Sequence, residues 1–360
     1  MYIMEQTAFT KTRIAEFDWL KTLALLLIVF VHSDLYFVFP ELMYPTQWFL
    51  VSCFFFVSGF LAYNSLHKRD ASIRHFLKSK ILMLYVPFVA VSVFYSFLQA
   101  AIGSMKFNLL QLLSQITLIN ILDVMNSAYN WDFLWFVPYL LVFMGLFCFV
   151  EKYVTNSKLQ VLLVSALWFC TILAWVYDTE LKLGQVFSQY FLVFMVGFWI
   201  NKFDMYEKVT RFRAASVMVP IVVLFSLDLS TFFTLDTTTE ALKYLLYSNG
   251  RSIIFSLSAV LLVLLILRRM KIPRNRFVEW IATISILIYF MDPFFGYTIS
   301  NYIFGQPVIY FAAGAEFWFY ILVRIAVLFL VLPFAMKVVN KIFTRIRFLS
   351  KIRRANSLTS

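Results

Sequence analysis

The sequence predicts an all-α, polytopic integral membrane bundle of about ten transmembrane helices with both termini in the cytoplasm. Three observations carry that reading. The 360 residues are 62% hydrophobic and 20% aromatic but only 14% charged, against about a quarter charged in an ordinary soluble domain, and the mean hydropathy is +0.82. Apolar runs of roughly 20 residues, the length a helix needs to cross hydrocarbon, recur along the chain. Lysine and arginine crowd into alternate connections between those runs.

The first run spans 17–39. Residues 1–15 are polar and no small-residue cleavage site follows the run, so it is expected to stay as a start-transfer anchor. Further runs lie at 46–66, 81–102, 131–150, 159–177, 185–201, 214–233, 251–268, 279–300 and 314–339. Residues 104–122 are too polar and too short for a span and read as an amphipathic or re-entrant segment at one surface. With the N-terminus inside, the basic connections carry Lys68, Arg69, Arg74, Lys78 and Lys80, then Lys152 and Lys158, then Lys202, Lys208, Arg211 and Arg213, then Arg268, Arg269, Lys271, Arg274 and Arg276. The opposite connections hold little beyond Lys106, Lys182, Lys243 and Arg251. This is the positive-inside pattern with an even number of crossings. It accounts for the net charge of +12, so nucleic acid is not an expected partner.

One transmembrane domain is expected over 1–345, followed by a basic cytoplasmic tail, 346–360, that touches anionic lipid. No hydrophilic stretch is long enough to bury a second core, and no internal repeat or low-complexity linker stands out. Cys53, Cys148 and Cys170 fall in apolar runs without ligand spacing and read as small hydrophobes. His67 and His75 lie in the first basic connection and read as solvated loop residues, so no metal site is expected.

The chemistry concentrates in the first run, EFDWLKTLALLLIVFVHSD, from Glu16 to Asp34. Ionisable groups inside a span are costly and mark function by default. At about 100° per residue, Asp18, Lys21, Leu25, Ile28 and His32 form one stripe, with Lys21 and His32 roughly 16 Å apart along the axis. A cation near the inner mouth and an imidazole deep in the outer half suit an elongated anionic donor and removal of a hydroxyl proton. The bland alternatives are a neutral His32 hydrogen-bonded between helices and a Lys21 that snorkels to the interface. Asp34 reads as a solvated outer-end residue.

Two other places hold polar groups in apolar runs. Asp292 and Arg324 lie at nearly equal depth, roughly 20 Å up one helix and roughly 15 Å down the next. They read as a buried ion pair, as part of an acceptor site, or with Asp292 solvated at an outer end. Trp131 and Trp135 open a span at the outer surface, where aromatic belts are ordinary; sugar stacking, with Asp132 as hydroxyl partner, is the sharper alternative.

The stretch RIAEFDWLKTLALLLIVFVH resembles the opening of the membrane-bound acyltransferase-3 family, whose basic residue, ten residues and His are matched by Lys21-x10-His32, preceded by Arg13 and Asp18. The segment FFFVSGFLAYNS is similar to the family's Ser-Gly-Phe segment, here Ser58, Gly59 and Phe60. Two positions depart: an Arg-x-x-Arg pair entering the third span is represented by Lys80 and Met83, and a late Tyr-x-x-His by Tyr289 and Asp292. The resemblance implies transfer of an acyl group, most often acetyl, from cytoplasmic acetyl-CoA or another acyl-CoA to a hydroxyl of a cell-envelope carbohydrate or glycolipid. The implied location is a bacterial or archaeal plasma membrane. It makes His32 the base, with Asp18 and Lys21 completing the catalytic group. Arg13, Lys78, Lys80, Arg74 and Ser58 would serve the donor, and Asp292, Arg324, Trp135 and Tyr289 the acceptor; no metal is implied. A transporter or flippase of a glycan or lipid-linked substrate is the alternative, with His32, Asp292 and Arg324 lining its path. An inactive family member serving in binding or assembly is a third.

Overall fold

The computed structural model describes residues 14–31, 40–67, 72–101, 107–118, 135–177, 182–226, 238–303, 318–326 and 328. Arg13, His32, Asp34, Trp131, Asp132 and the tail 346–360 lie outside the described residues.

The described residues form helices and no strands: α1 (Ala15–Phe30), α2 (Pro40–His67), α3 (Ile73–Ala101), α4 (Leu109–Ile116), α5 (Phe136–Tyr153), α6 (Ser157–Tyr177), α7 (Lys182–Lys202), α8 (Tyr206–Val209), α9 (Phe212–Ser226), α10 (Thr238–Arg269) and α11 (Arg276–Ile303). Residues 318–326 are helical as well. Each apolar run of the sequence thus falls on helix wherever it is described. Among the described residues, five stretches are long and apolar enough to cross a membrane: Thr46–His67, Ile73–Phe97, Phe136–Tyr153, Ser157–Ala174 and Leu242–Arg269. Within 104–122 the described residues, 107–118, form the short α4, capped by the Asn108 side chain and tied to α3 by a 2.6 Å hydrogen bond from the Tyr85 hydroxyl to the Ile116 carbonyl.

Two boundaries move. Lys78 and Lys80 lie within α3, which starts at Ile73, rather than in a connection. Arg251 is not in an outer connection but buried within α10, where its guanidinium sits 5.1 Å from the Trp48 ring and its Nε donates to the Phe225 carbonyl at 3.0 Å. Hydropathy ends a run at a charge. The helix continues, because backbone hydrogen bonds must be satisfied inside an apolar bundle whatever the side chains are.

At the centre, α2 and α7 run parallel and cross closely. A Cβ on Gly59 would overlap the Phe194 carbonyl oxygen, and one on Gly197 would overlap that of Phe56, so each glycine admits the other helix's backbone. Helix α10 packs against both, and α1 is held between α2, α10 and α11. Trp19 Nε1 donates to the Pro273 carbonyl and Thr22 Oγ1 to that of Val278, each at 3.4 Å, so α1 and α11 start side by side and run in the same direction. Helices α3 and α5 close the remaining side.

Several basic connections meet at the end of the bundle where α1 begins. Glu151, at the end of α5, accepts from Lys202 Nζ at 2.8 Å and Gln160 Nε2 at 3.0 Å, with His67 Nε2 3.2 Å away. His67 is therefore not simply solvated: it also stacks on Tyr63 at 4.5 Å. Arg268 pairs with Glu207 and lies 5.3 Å from the Tyr206 ring, which in turn packs on Phe17 at 5.6 Å. Burial pushes the Tyr206 phenol up, with the Glu16 carboxylate adding to the effect.

Candidate functional site

Of the stripe expected on α1, Asp18, Lys21, Leu25 and Ile28 are described and His32 is not. Asp18 and Leu25 are buried, and Lys21 and Ile28 line a cavity of about 280 Å³ enclosed by α1, α2, α3, α5 and α11. The Lys21 Nζ stands 3.6 Å from Asp18 Oδ1, with the lysine side chain 19% exposed. A long side chain with its stem on apolar surface and its ammonium at an opening avoids the cost of full desolvation.

The cavity has two chemically distinct parts. Its exposed rim holds Leu61, Met83 and Thr283, with Lys21 and Lys80 beside them. The Lys80 ammonium lies 5.6 Å from the Phe76 ring. The deeper wall is apolar and aromatic: Ile28, Val51, Phe54, Phe136 and Tyr289, with Phe136 set edge-on to Tyr289 at 5.8 Å. Such a space suits an elongated molecule with an anionic end and a neutral arm.

The Ser-Gly-Phe segment explains itself residue by residue. Ser58 lines the cavity and Gly59 makes the close approach to α7. Phe60 packs edge-on against Phe17 at 4.8 Å, while its carbonyl accepts from Asn201 Nδ2 at 2.6 Å. One short motif thus fixes the cavity wall, the helix crossing and the seat of α1.

The residues singled out in sequence separate into groups. Lys21, Ser58, Lys80 and Tyr289 share the cavity, and Asp18 braces Lys21. Arg74 and Lys78 instead line a different groove with Lys152, on another face of α3. Asp292 and Arg324 form a fully buried pair: Nε and Nη2 of Arg324 donate to Asp292 Oδ1 at 2.9 and 2.6 Å, and Nη2 also reaches the Asp292 carbonyl at 3.2 Å. Neither side chain is exposed. Trp135 is half-buried in an aromatic stack, 5.7 Å from Tyr190 and 6.3 Å from Phe55. Arg13 and His32 lie outside the described residues, four positions beyond Ile28 in the case of His32. Among the described residues no cluster of His, Cys, Asp or Glu could hold a metal ion.

The Glu151 cluster was not anticipated. Its signal is faint in sequence: a glutamate just before Lys152 in a basic connection, with no pattern linking it to Lys202 or Gln160.

A family model described as an acyltransferase domain matches residues 14–339. No curated protein and no solved structure matches the chain.

Proposed function

Because this chain belongs to the acyltransferase-3 family of membrane O-acyltransferases, we propose that it transfers an acyl group, most simply acetyl, from cytoplasmic acyl-CoA to a hydroxyl of a cell-envelope carbohydrate or glycolipid. The observation that carries the proposal is the convergence of Lys21, Ser58, Lys80 and Tyr289 on one cavity whose cations stand at the rim and whose depth is apolar.

In this reading the donor's phosphates engage Lys21 and Lys80, while the thioester arm extends along Ile28 and Phe54. Asp18, 3.6 Å from Lys21, steadies the lysine at the rim. His32 accepts the proton of the acceptor hydroxyl as its oxygen attacks the thioester carbonyl. The tetrahedral adduct then expels the CoA thiolate, which takes that proton from the imidazolium of His32, and the ester is released. A base with a pKa near neutrality suits this step. Water is kept from the thioester by the phenylalanine wall. Tyr289, in the same cavity, offers a hydroxyl for the acceptor, and Trp135 buttresses the start of α5 through its stack on Tyr190. Asp292 and Arg324 support that end of the site through their mutual pair.

The test is release of free CoA by the purified protein in nanodiscs, given acetyl-CoA and a panel of glycan and glycolipid acceptors. Acceptor-dependent release that falls at least a hundredfold in His32→Ala, with an unchanged melting temperature, is expected. Full activity in His32→Ala, or an inert wild type across the panel, overturns the proposal.

A further inference from the structure

Arg74 and Lys78, expected at the donor site from sequence, face a groove of their own, and that groove has the chemistry of a lipid site. We propose that the groove between the start of α3 and the end of α5 binds the phosphate of an anionic phospholipid. One acyl chain of that lipid lies in the seam between the two helices.

The groove, about 590 Å³, is lined by Arg74, Lys78 and Lys152 over a floor that includes Leu77, Ile81 and Leu82, and no carboxylate lines it. All three cations are exposed, and none is in an ion pair with a described residue. Arg74 and Lys78 are one helical turn apart and so share a face. Lys80, two positions on from Lys78, points to a different face and lines the acyl-transfer cavity.

The apolar part decides in favour of a lipid. Ile81 and Leu82 are 45% and 36% exposed on a helix long and apolar enough to cross a membrane, so they continue the groove along a hydrocarbon-facing surface. A second void of about 390 Å³ adjoins it, sharing Leu77 and Ile81 with the groove and Lys80 and Met144 with the cavity. Gly145 lines this void, and a Cβ there would meet nothing within 4 Å. A nucleotide phosphate would use the cations and leave the seam empty. A phospholipid fills both, with three positive charges matched to its headgroup. The inference rests on the bundle lying in a membrane, not on the acyl-transfer reading.

Native mass spectrometry of the delipidated full chain, titrated with phosphatidylglycerol or phosphatidylcholine, tests it. The wild type is expected to retain phosphatidylglycerol preferentially. The triple variant Arg74→Gln, Lys78→Gln, Lys152→Gln is expected to lose about a hundredfold in affinity, in line with three basic groups near a lipid phosphate. Gly145→Leu, which fills the seam while keeping the cations, is expected to weaken retention severalfold without lowering the melting temperature. Equal retention of the two lipids, or unchanged binding in the triple variant, overturns the proposal. So does displacement of the lipid by CoA coupled to loss of CoA binding in the triple variant, which would assign the groove to the donor. Because the readout is lipid mass, an acyl-transfer failure in a separate assay leaves this result interpretable.

Discussion

The cavity lysines and the Asp292–Arg324 pair both set charge into an apolar bundle, and they differ in what surrounds them. Arg324 and Asp292 are sealed, each the other's partner within 2.9 Å and neither exposed. Lys21 leans on Asp18 at a longer 3.6 Å and keeps its ammonium at a cavity rim. A sealed pair satisfies its own charge and fixes where two helices meet. A cation at a cavity rim can also spend its interaction on a ligand. The two regions should therefore fail differently when mutated: one in stability, the other in turnover.

The largest effect is expected at the sealed pair. Arg324→Met strands the Asp292 carboxylate in the bundle, and a buried charge left without its partner costs about 3–5 kcal/mol. Unfolding in detergent should show that loss, and Asp292→Leu combined with Arg324→Met should recover much of it. The contrast breaks if Arg324→Met melts as the wild type does while acyl transfer disappears.

Lys21→Met is the converse test. Acyl-transfer kcat/KM should fall about a hundredfold, equivalent to roughly 2.7 kcal/mol of transition-state stabilisation, while the melting temperature stays close to wild type. Lys21→Arg keeps the charge and should retain part of the activity, although its planar fork does not reproduce an ammonium. A melting temperature that drops in step with activity would place Lys21 with the structural charges instead.

The same division recurs between two adjacent residues. Gly59→Val drives side-chain atoms into the Phe194 carbonyl across the α2–α7 crossing and should cost about 1–3 kcal/mol, as overpacking does. Ser58→Ala removes one hydroxyl from the cavity wall and should leave stability within about 0.5 kcal/mol. Its effect should fall on donor KM.

How much of this was legible in sequence follows from the range of each interaction. The helices were legible because a bilayer demands long apolar runs, and the α1 stripe because helical periodicity is local. The Asp292–Arg324 pair was readable as one of three alternatives, since two costly charges at equal depth have few ways to coexist. The Glu151 cluster was not: its members come from the ends of four helices, and Lys202 already had an adequate topological explanation. Counting along α3 puts Lys80 on a different face from Arg74 and Lys78 but does not say what lies against either face. Which face a cation serves depends on where α5 and α11 sit.

Met83 offers the smallest and most discriminating change. It occupies the place where the family resemblance leads one to expect a second arginine, and it is 50% exposed at the rim that Lys21 and Lys80 share. Met83→Arg would add a third cation without burying it, so little stability should be lost. A partly exposed charge in contact with an anion contributes about 0.5–1 kcal/mol, so donor KM should fall about twofold to fivefold, with kcat nearly unchanged. The gain should shrink as salt is raised, because exposed charges are screened. Steady-state kinetics over a salt series measures both. An unchanged KM at low salt would mean that the donor's phosphates do not bind at this rim, and the division between rim and sealed charge would then need another ligand to explain it.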